Sequence, residues 1–163
     1  MQEKKLKELL KKAINDLSEI NITVGEIISI ETMKRQKWGE CSKIANNKYK
    51  IRINENLLKE GKKKGALKVI THELIHTLPN CMNHGMDWKF YSKVVNRNLN
   101  YNIKRTTSCE ELKIDIKDFM QVNYILKCKD CGTELYRTRK SKLIREYHNY
   151  KCSKCKGDFE RIK

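Results

Sequence analysis

A helix with His72, Glu73 and His76 along one stripe and apolar residues on nearly every other side can be accommodated in few ways. Ala66, Leu67, Ile70, Leu74 and Leu78 fall opposite the histidines at helical spacing, and Val69 and Ile75 flank them. Such a helix is buried almost all round, so its polar stripe must find partners inside the protein. Two histidines four apart share a helix face, and both rings can reach one metal ion at roughly 2.0–2.1 Å. Glu73, turned about 100° from His72, lies where a base acting on a metal-held water belongs. The pattern is H-E-x-x-H. Three of the chain's four histidines fall between positions 72 and 84, which chance clustering explains poorly.

A catalytic zinc takes three protein ligands and keeps a fourth position open. His84 is the expected third ligand, because Gly85 lets the backbone bend there and residues 77–83 suffice for a return loop. Asp87 and Cys81 are the alternatives, and a cysteine ligand suits hydrolysis less well. Zinc lowers the pKa of its water to roughly 7. Glu73 would then take a proton as the water oxygen attacks a peptide carbonyl, and return it to the leaving amine.

The last forty residues carry Cys128-x-x-Cys131 and Cys152-x-x-Cys155 with twenty residues between them. Each knuckle offers two thiolates on a tight turn, and the pair completes a zinc tetrahedron. A redox C-x-x-C would occur once, in a βαβ setting. Short strands over 125–127, 135–137, 150–152 and 159–162 make this stretch a zinc ribbon. No apolar run approaches the roughly 18 residues of a membrane span, and residues 1–16 lack a signal peptide's apolar core. The protein is therefore expected inside the cell, in the cytoplasm or at the nucleoid, where cysteines bind metal more often than they form disulfides. Cys41, Cys81 and Cys109 are expected as free buried thiols.

Elsewhere, residues 3–18 read as an amphipathic helix packed on the core and 27–31 as a short buried strand. Residues 37–42 read as a loop, and 48–54 as a half-buried strand able to pair with an extended substrate. A short helix starts at Asn54, and the motif helix should run to about Leu78, where Pro79 stops it. A helix over 87–98 should cover the floor of the metal site. Glu110, Glu111, Asp115 and Asp118 form an acidic patch at the join between domains, giving 1–105 as the core, 106–123 as a connector and 124–163 as the ribbon.

A net charge of +16 asks for a polyanionic partner, and nucleic acid is the commonest soluble one. Most of the basic residues are lysine, and the chain is rich in Asn and Ile, so an A/T-biased coding sequence accounts for part of the excess. Residues 124–163 hold twelve Lys or Arg against five Asp or Glu, with Tyr136, Tyr147, Tyr150 and Phe159 among them. Basic groups track phosphates and exposed rings stack on unpaired bases. The same aromatics can instead form the ribbon's small core.

Trp38-Gly39-Glu40-Cys41-Ser42, a strand running into Asn54-x-x-Leu57, the 72–76 motif, and His84-Gly85-x-x-Trp88-Lys89 together resemble the SprT-like (Spartan-type) zinc metalloprotease family. The terminal ribbon is similar to the one that follows the protease core in bacterial members. The resemblance covers roughly residues 5–100 and 124–163. It implies an α+β protein with a compact zincin-like core and a small β zinc ribbon. It also implies His72, His76 and His84 as ligands of a catalytic zinc, Glu73 as the catalytic residue, and Cys128, Cys131, Cys152 and Cys155 around a structural zinc. Spartan cleaves proteins crosslinked to DNA and is activated by DNA. The implied activity is thus a metalloendopeptidase acting on DNA-bound or DNA-crosslinked proteins, a monomer with DNA that has unpaired regions as partner, and no membrane. Two departures stand out: the segment between His76 and His84 is short, and Glu40 stands where a small serine is usual. Two other readings remain open, a non-catalytic nucleic-acid-binding zinc protein and a protease unrelated to DNA.

Overall fold

Leu6, Leu9, Ala13 and Leu17 recur every three or four residues in helix α1 (Gln2–Glu19), and this stripe seals against the rest of the first unit. The computed structural model describes residues 2–34 and 36–163. Two units separate within it, Met1–Asp115 and Ile116–Lys163.

The first unit is built on strands β1 (Glu26–Met33), β2 (Gly39–Ala45) and β3 (Lys48–Asn54) in the order β1-β3-β2. Strand β3 runs parallel to β1 and antiparallel to β2. Its alternation is as read from the sequence: Tyr49, Ile51 and Ile53 are buried while Lys50 and Arg52 are half-exposed. The central place of β3 corrects one expectation, since both of its edges are already paired and no substrate strand can join it. Residues 37–42 are corrected too, because Gly39 onward is strand, not loop. No residue of β2 is fully buried, so the sequence carries no alternation to mark it. Strand β1 is longer than expected, and only Ile30 and Met33 in it are buried.

Asn54 joins the sheet to the next helical turn. Its side-chain oxygen accepts from the Asn56 amide at 3.0 Å and caps the 3-10 helix Glu55–Leu58. Its own amide and side-chain nitrogen donate to the carbonyls of Trp38 (2.9 Å) and Lys37 (3.1 Å), fixing the entry to β2. Helix α2 (Lys63–Ile75) then buries Ala66, Leu67, Val69, Ile70, Leu74 and Ile75 against α1 and the sheet. It ends three residues before Leu78. The ring of Pro79 excludes an α-helical carbonyl at Ile75 and supplies no amide to it, so the Leu78 amide takes that carbonyl at 3.1 Å in a tighter turn. The Thr77 hydroxyl donates to Leu74 O at 2.7 Å and accepts from the Gly25 amide at 2.9 Å.

Helix α3 (Met86–Leu99) stops at Asn100, which is left-handed at φ 53°. The chain then folds back on the same core. Ile103, Leu112 and Ile114 are buried in it. Asn96 clamps Ile103 by accepting from its amide (2.5 Å) and donating to its carbonyl (2.8 Å). Glu111 bridges Lys68 at 2.8 Å and Lys104 at 2.9 Å.

The second unit begins with a short helix, α4 (Ile116–Phe119), and has an antiparallel sheet of β4 (Tyr124–Cys128), β5 (Glu134–Arg137) and β6 (Phe159–Arg161), ordered β5-β4-β6. Its core is Leu126, Cys128, Ile144, Cys152 and Phe159. Residues 150–152, expected as a strand, contribute one isolated bridge between Lys151 and Asp158. A short helix, α5 (Lys142–Arg145), and a turn of 3-10 helix (Tyr147–Asn149) fill the span before it. The architecture is α+β, and no helix among the described residues is long and apolar enough to cross a membrane.

Lys104 and Lys68 hold the Glu111 carboxyl down to about 2. A carboxylate with a depressed folded pKa contributes stability above its ordinary range near 4.5 and loses it as pH falls toward 2. The melting-temperature gap between the native chain and Glu111→Gln should therefore be widest near neutral pH and close as pH drops through that window. A gap that does not change with pH would contradict the pairing.

Candidate active site

Helix α2 delivers His72 and Glu73 from its last turn, and His76 sits at its C-cap. The next loop returns through a tight turn in which Asn83 Oδ1 accepts from the Gly85 amide at 2.9 Å. That turn presents His84. The ligand atoms of His72, His76 and His84 all lie within 4.8 Å of one another, with 3.0 Å between Nε2 of His72 and Nε2 of His84. Neither Asp87 nor the Cys81 thiol belongs to this group.

Backbone carbonyls orient two of the rings. Nδ1 of His72 donates to Lys104 O at 3.0 Å, and Nδ1 of His76 donates to Cys81 O at 2.6 Å. With the proton committed to Nδ1, each Nε2 presents a lone pair to the centre. Trp88 underlies all three rings, with centroids 4.8 Å from His72, 5.8 Å from His76 and 4.5 Å from His84. It is 2% exposed, so the expectation that α3 floors the site holds.

Burial, with the neighbouring histidines, pushes His72 down to about 3, and burial likewise lowers His76 and His84. All three imidazoles are therefore neutral at pH 7, the form that binds a metal. The Nε2 atoms of His72 and His84, 3.0 Å apart, are close enough to share one proton or one metal ion. Tetrahedral zinc with Zn–N near 2.0–2.1 Å sets its nitrogens about 3.4 Å apart, and the group fits it.

Glu73 is 6% exposed and packs against strand β2. Its carboxyl accepts from the Cys41 amide, and is pushed up to about 8 chiefly by burial and then by the charge of Glu40. A methyl carbon on Gly39 would lie 2.4 Å from Glu73 Oε1, so only glycine leaves room for the carboxyl there. Glu40 itself is paired with Arg52 and with Lys37 at 3.2 Å. The nearby charge of Glu73 and burial push the Cys41 thiol up to about 12, burial being the larger cause. Cys81 is fully buried, as expected, whereas Cys41 and Cys109 are only half-buried.

In the second unit the sulfurs of Cys128, Cys131, Cys152 and Cys155 also lie within 4.8 Å of one another. Cys128 and Cys155 are 3.4 Å apart and Cys131 and Cys152 are 3.7 Å apart. These distances far exceed a disulfide's ~2.05 Å and approach the ~3.8 Å edge of a tetrahedron with Zn–S near 2.3 Å. Hydrogen bonds from the Thr133 hydroxyl and amide draw Cys131 down to about 6, toward the thiolate that metals bind.

A model of the SprT-like family matches residues 6–108. The chain belongs to the SprT-like family. The match runs from α1 to the segment after α3, so every element that builds the histidine site lies within it. Among solved structures the chain is similar to the metallopeptidase zymogen jannalysin of Methanocaldococcus jannaschii, at 26% identity over 66% of this chain and 87% of that one, with a TM-score of 0.40. A search of curated proteins found no match. The family and the two ligand groups support a zinc metallopeptidase.

Three contributors escape sequence reading in this family member: the carbonyls of Lys104 and Cys81, and the missing side chain of Gly39. Backbone carbonyls leave no trace in residue identity. The Trp38-Gly39 pair is visible, but its reasons are not. Trp38 Nε1 donates to Thr107 O at 2.8 Å and so ties down the segment that carries Lys104, while Gly39 makes space for Glu73.

Gly39→Ala should displace the Glu73 carboxyl without touching the histidines. Peptidase activity should fall on the order of 100-fold, the cost of misplacing a catalytic group by about an ångström, while bound zinc is retained. Activity within twofold of native would show that Gly39 does not set the position of Glu73.

Proposed function

We propose that this protein is a zinc-dependent metalloendopeptidase that cuts DNA-bound or DNA-crosslinked proteins. The observation that carries the reading is the convergence of His72, His76 and His84 beside a buried Glu73 whose carboxyl is seated between Gly39 and the Cys41 amide. His72, His76 and His84 would hold the catalytic zinc, and Cys128, Cys131, Cys152 and Cys155 a structural one. Bound zinc supplies Lewis acidity, polarising a peptide carbonyl and bringing the pKa of a water to roughly 7.

The chain's own residues do the rest. In its carboxylate form, which gains ground as pH rises toward 8, Glu73 takes the proton from the attacking water and passes it to the amine that leaves. The carbonyls of Lys104 and Cys81 keep the His72 and His76 rings from turning, and Trp88 excludes water from beneath them. Strand β2 starts beside Glu73, and its other edge carries no strand of the sheet. An extended polypeptide segment would pair there by strand addition, which favours unfolded or flexible stretches.

The DNA association is supported by the charge of +16 and by the basic second unit. Tyr136 is half-buried there and Tyr150 is 36% exposed, which leaves these two rings for stacking, whereas the half-buried Tyr147 packs on the ribbon's core. Phe159, 5% exposed, likewise leaves the set of stacking residues in favour of the ribbon's core. The protein would act as a monomer inside the cell.

Proteolysis of a DNA-binding protein should be stimulated by single-stranded DNA in the native chain and fall by about 100-fold or more in Glu73→Gln. Cutting by both forms alike would remove Glu73 as the base, and cutting indifferent to DNA would leave a peptidase without the DNA link. Metal analysis should find two zinc ions per chain, one lost in His76→Ala and the other in Cys128→Ser. A total of one would eliminate one of the two sites.

A further inference from the structure

A cleft of about 730 Å³ opens on the first unit beside helix α2, and the reaction scheme leaves it unused. Lys62, Lys64, Lys68 and Lys113 line it against a single carboxylate, Glu111. Glu111 is already engaged by Lys68 at 2.8 Å and by Lys104 at 2.9 Å. The ammonium of Lys62 donates to the backbone carbonyl of Lys113, which leaves both side-chain charges in place. Among the described residues no carboxylate pairs with Lys62, Lys64 or Lys113. Three unpaired positive charges therefore border one concavity.

Like charges around a concave wall repel one another, and the wall concentrates their field on an anion that enters. A biased coding sequence would scatter lysines over the surface, whereas these gather from α2 and from the loop after α3. The volume lies within the roughly 300–1,000 Å³ that holds whole small ligands, well beyond one phosphate ion. Lysine meets phosphate as a point charge and reads no sequence. Asn100 and Asn102 also line the cleft and bring amide groups that can donate to phosphate or sugar oxygens.

The cleft adjoins the histidine site. Lys64, Lys68 and His72 follow one another at four-residue steps and share a face of α2. His72 stands eight residues beyond Lys64, a rise of about 12 Å. The loop after α3 joins the two places as well: Lys104 holds His72 with its carbonyl and Glu111, at the cleft, with its side chain.

We propose that this lysine cleft binds the phosphate backbone of DNA and holds it about 12 Å along α2 from the metal site. The inference rests on the DNA-directed peptidase reading and adds where on the protease core the DNA lies. Lys62, Lys64 and Lys113 then carry a share of the DNA affinity beside the ribbon. A protein attached to that DNA is brought within reach of the three histidines, and a free protein is not.

The test uses the full-length zinc-loaded Glu73→Gln chain, which reads binding apart from cutting, and fluorescent oligothymidine over a range of salt. Lys64→Gln with Lys113→Gln should weaken binding about tenfold near physiological salt. The slope of log affinity against log salt should become shallower by about 1.4, which is two phosphate contacts at ~0.7 each. Lys4→Gln with Lys11→Gln, an exposed pair on α1, removes the same charge and should produce less than about half of either change. Equal effects of the two pairs overturn the cleft, since they reduce it to net charge. So does polyglutamate that displaces oligothymidine as well as unlabelled oligothymidine does, which would make the cleft a surface for acidic protein. Lys64 and Lys113 are exposed, so zinc content and melting temperature should stay as in the parent. Should the double variant lose either, Lys113→Gln alone is read against a slope change of about 0.7. The peptidase reading fails separately. DNA-stimulated cutting by the Glu73-containing chain, beside unchanged binding in the Lys64 and Lys113 pair, keeps the peptidase and overturns the cleft. Binding lost in that pair, in a protein that never cuts, supports the cleft and sinks the peptidase.

Discussion

Two backbone carbonyls decide what the histidine cluster can do. Lys104 O and Cys81 O hold the protons of His72 and His76 on Nδ1, which turns both Nε2 lone pairs inward, the form in which imidazoles can hold a metal. Without those contacts the imidazoles could rotate or change tautomer, and the pair on α2 would be two buried polar groups with no purpose. Much of the first unit serves to put those carbonyls in place. Asn96 grips Ile103, Glu111 holds Lys104 against Lys68, and Trp38 ties Thr107. Residues distant in sequence thereby meet at one loop, which passes over the motif helix.

The second constraint concerns Glu73. A carboxylate so nearly excluded from water costs free energy unless something compensates. The Cys41 amide supplies a donor, and the absent side chain of Gly39 lets β2 come close enough to provide it. Strand β2 therefore has two roles at once: it fixes the Glu73 carboxyl and it leaves an edge beside it. The sheet order explains why the carboxyl and the edge coincide, since β3 is enclosed by β1 and β2.

Much of this was legible in residue types. The apolar stripe of α1, the alternation in β3, the caps and breaks around Asn54 and Pro79, the His-Glu-His spacing and the doubled C-x-x-C all follow from periodicities and turn chemistry that operate locally. The features that escaped were set by long-range contact. β2 is half-exposed along its length, so no pattern marks it, and pairing with β3 alone makes it a strand. The identity of the central strand depends on how β1 returns, which local propensity does not encode. The Leu78 boundary failed because Pro79 acts on the turn before it, not only on its own position. Phe159 looked like a stacking ring because its neighbours are basic, while the ribbon's small core required it.

Zinc X-ray absorption on the intact chain would test the account most directly, because it reports which atoms surround the metal. Three histidines in one unit and four cysteines in the other predict an average shell, per zinc, of about two sulfurs near 2.3 Å and about two nitrogens or oxygens near 2.0–2.1 Å. A shell of sulfur alone would mean that His72, His76 and His84 do not hold zinc, and the catalytic reading built on them would fall.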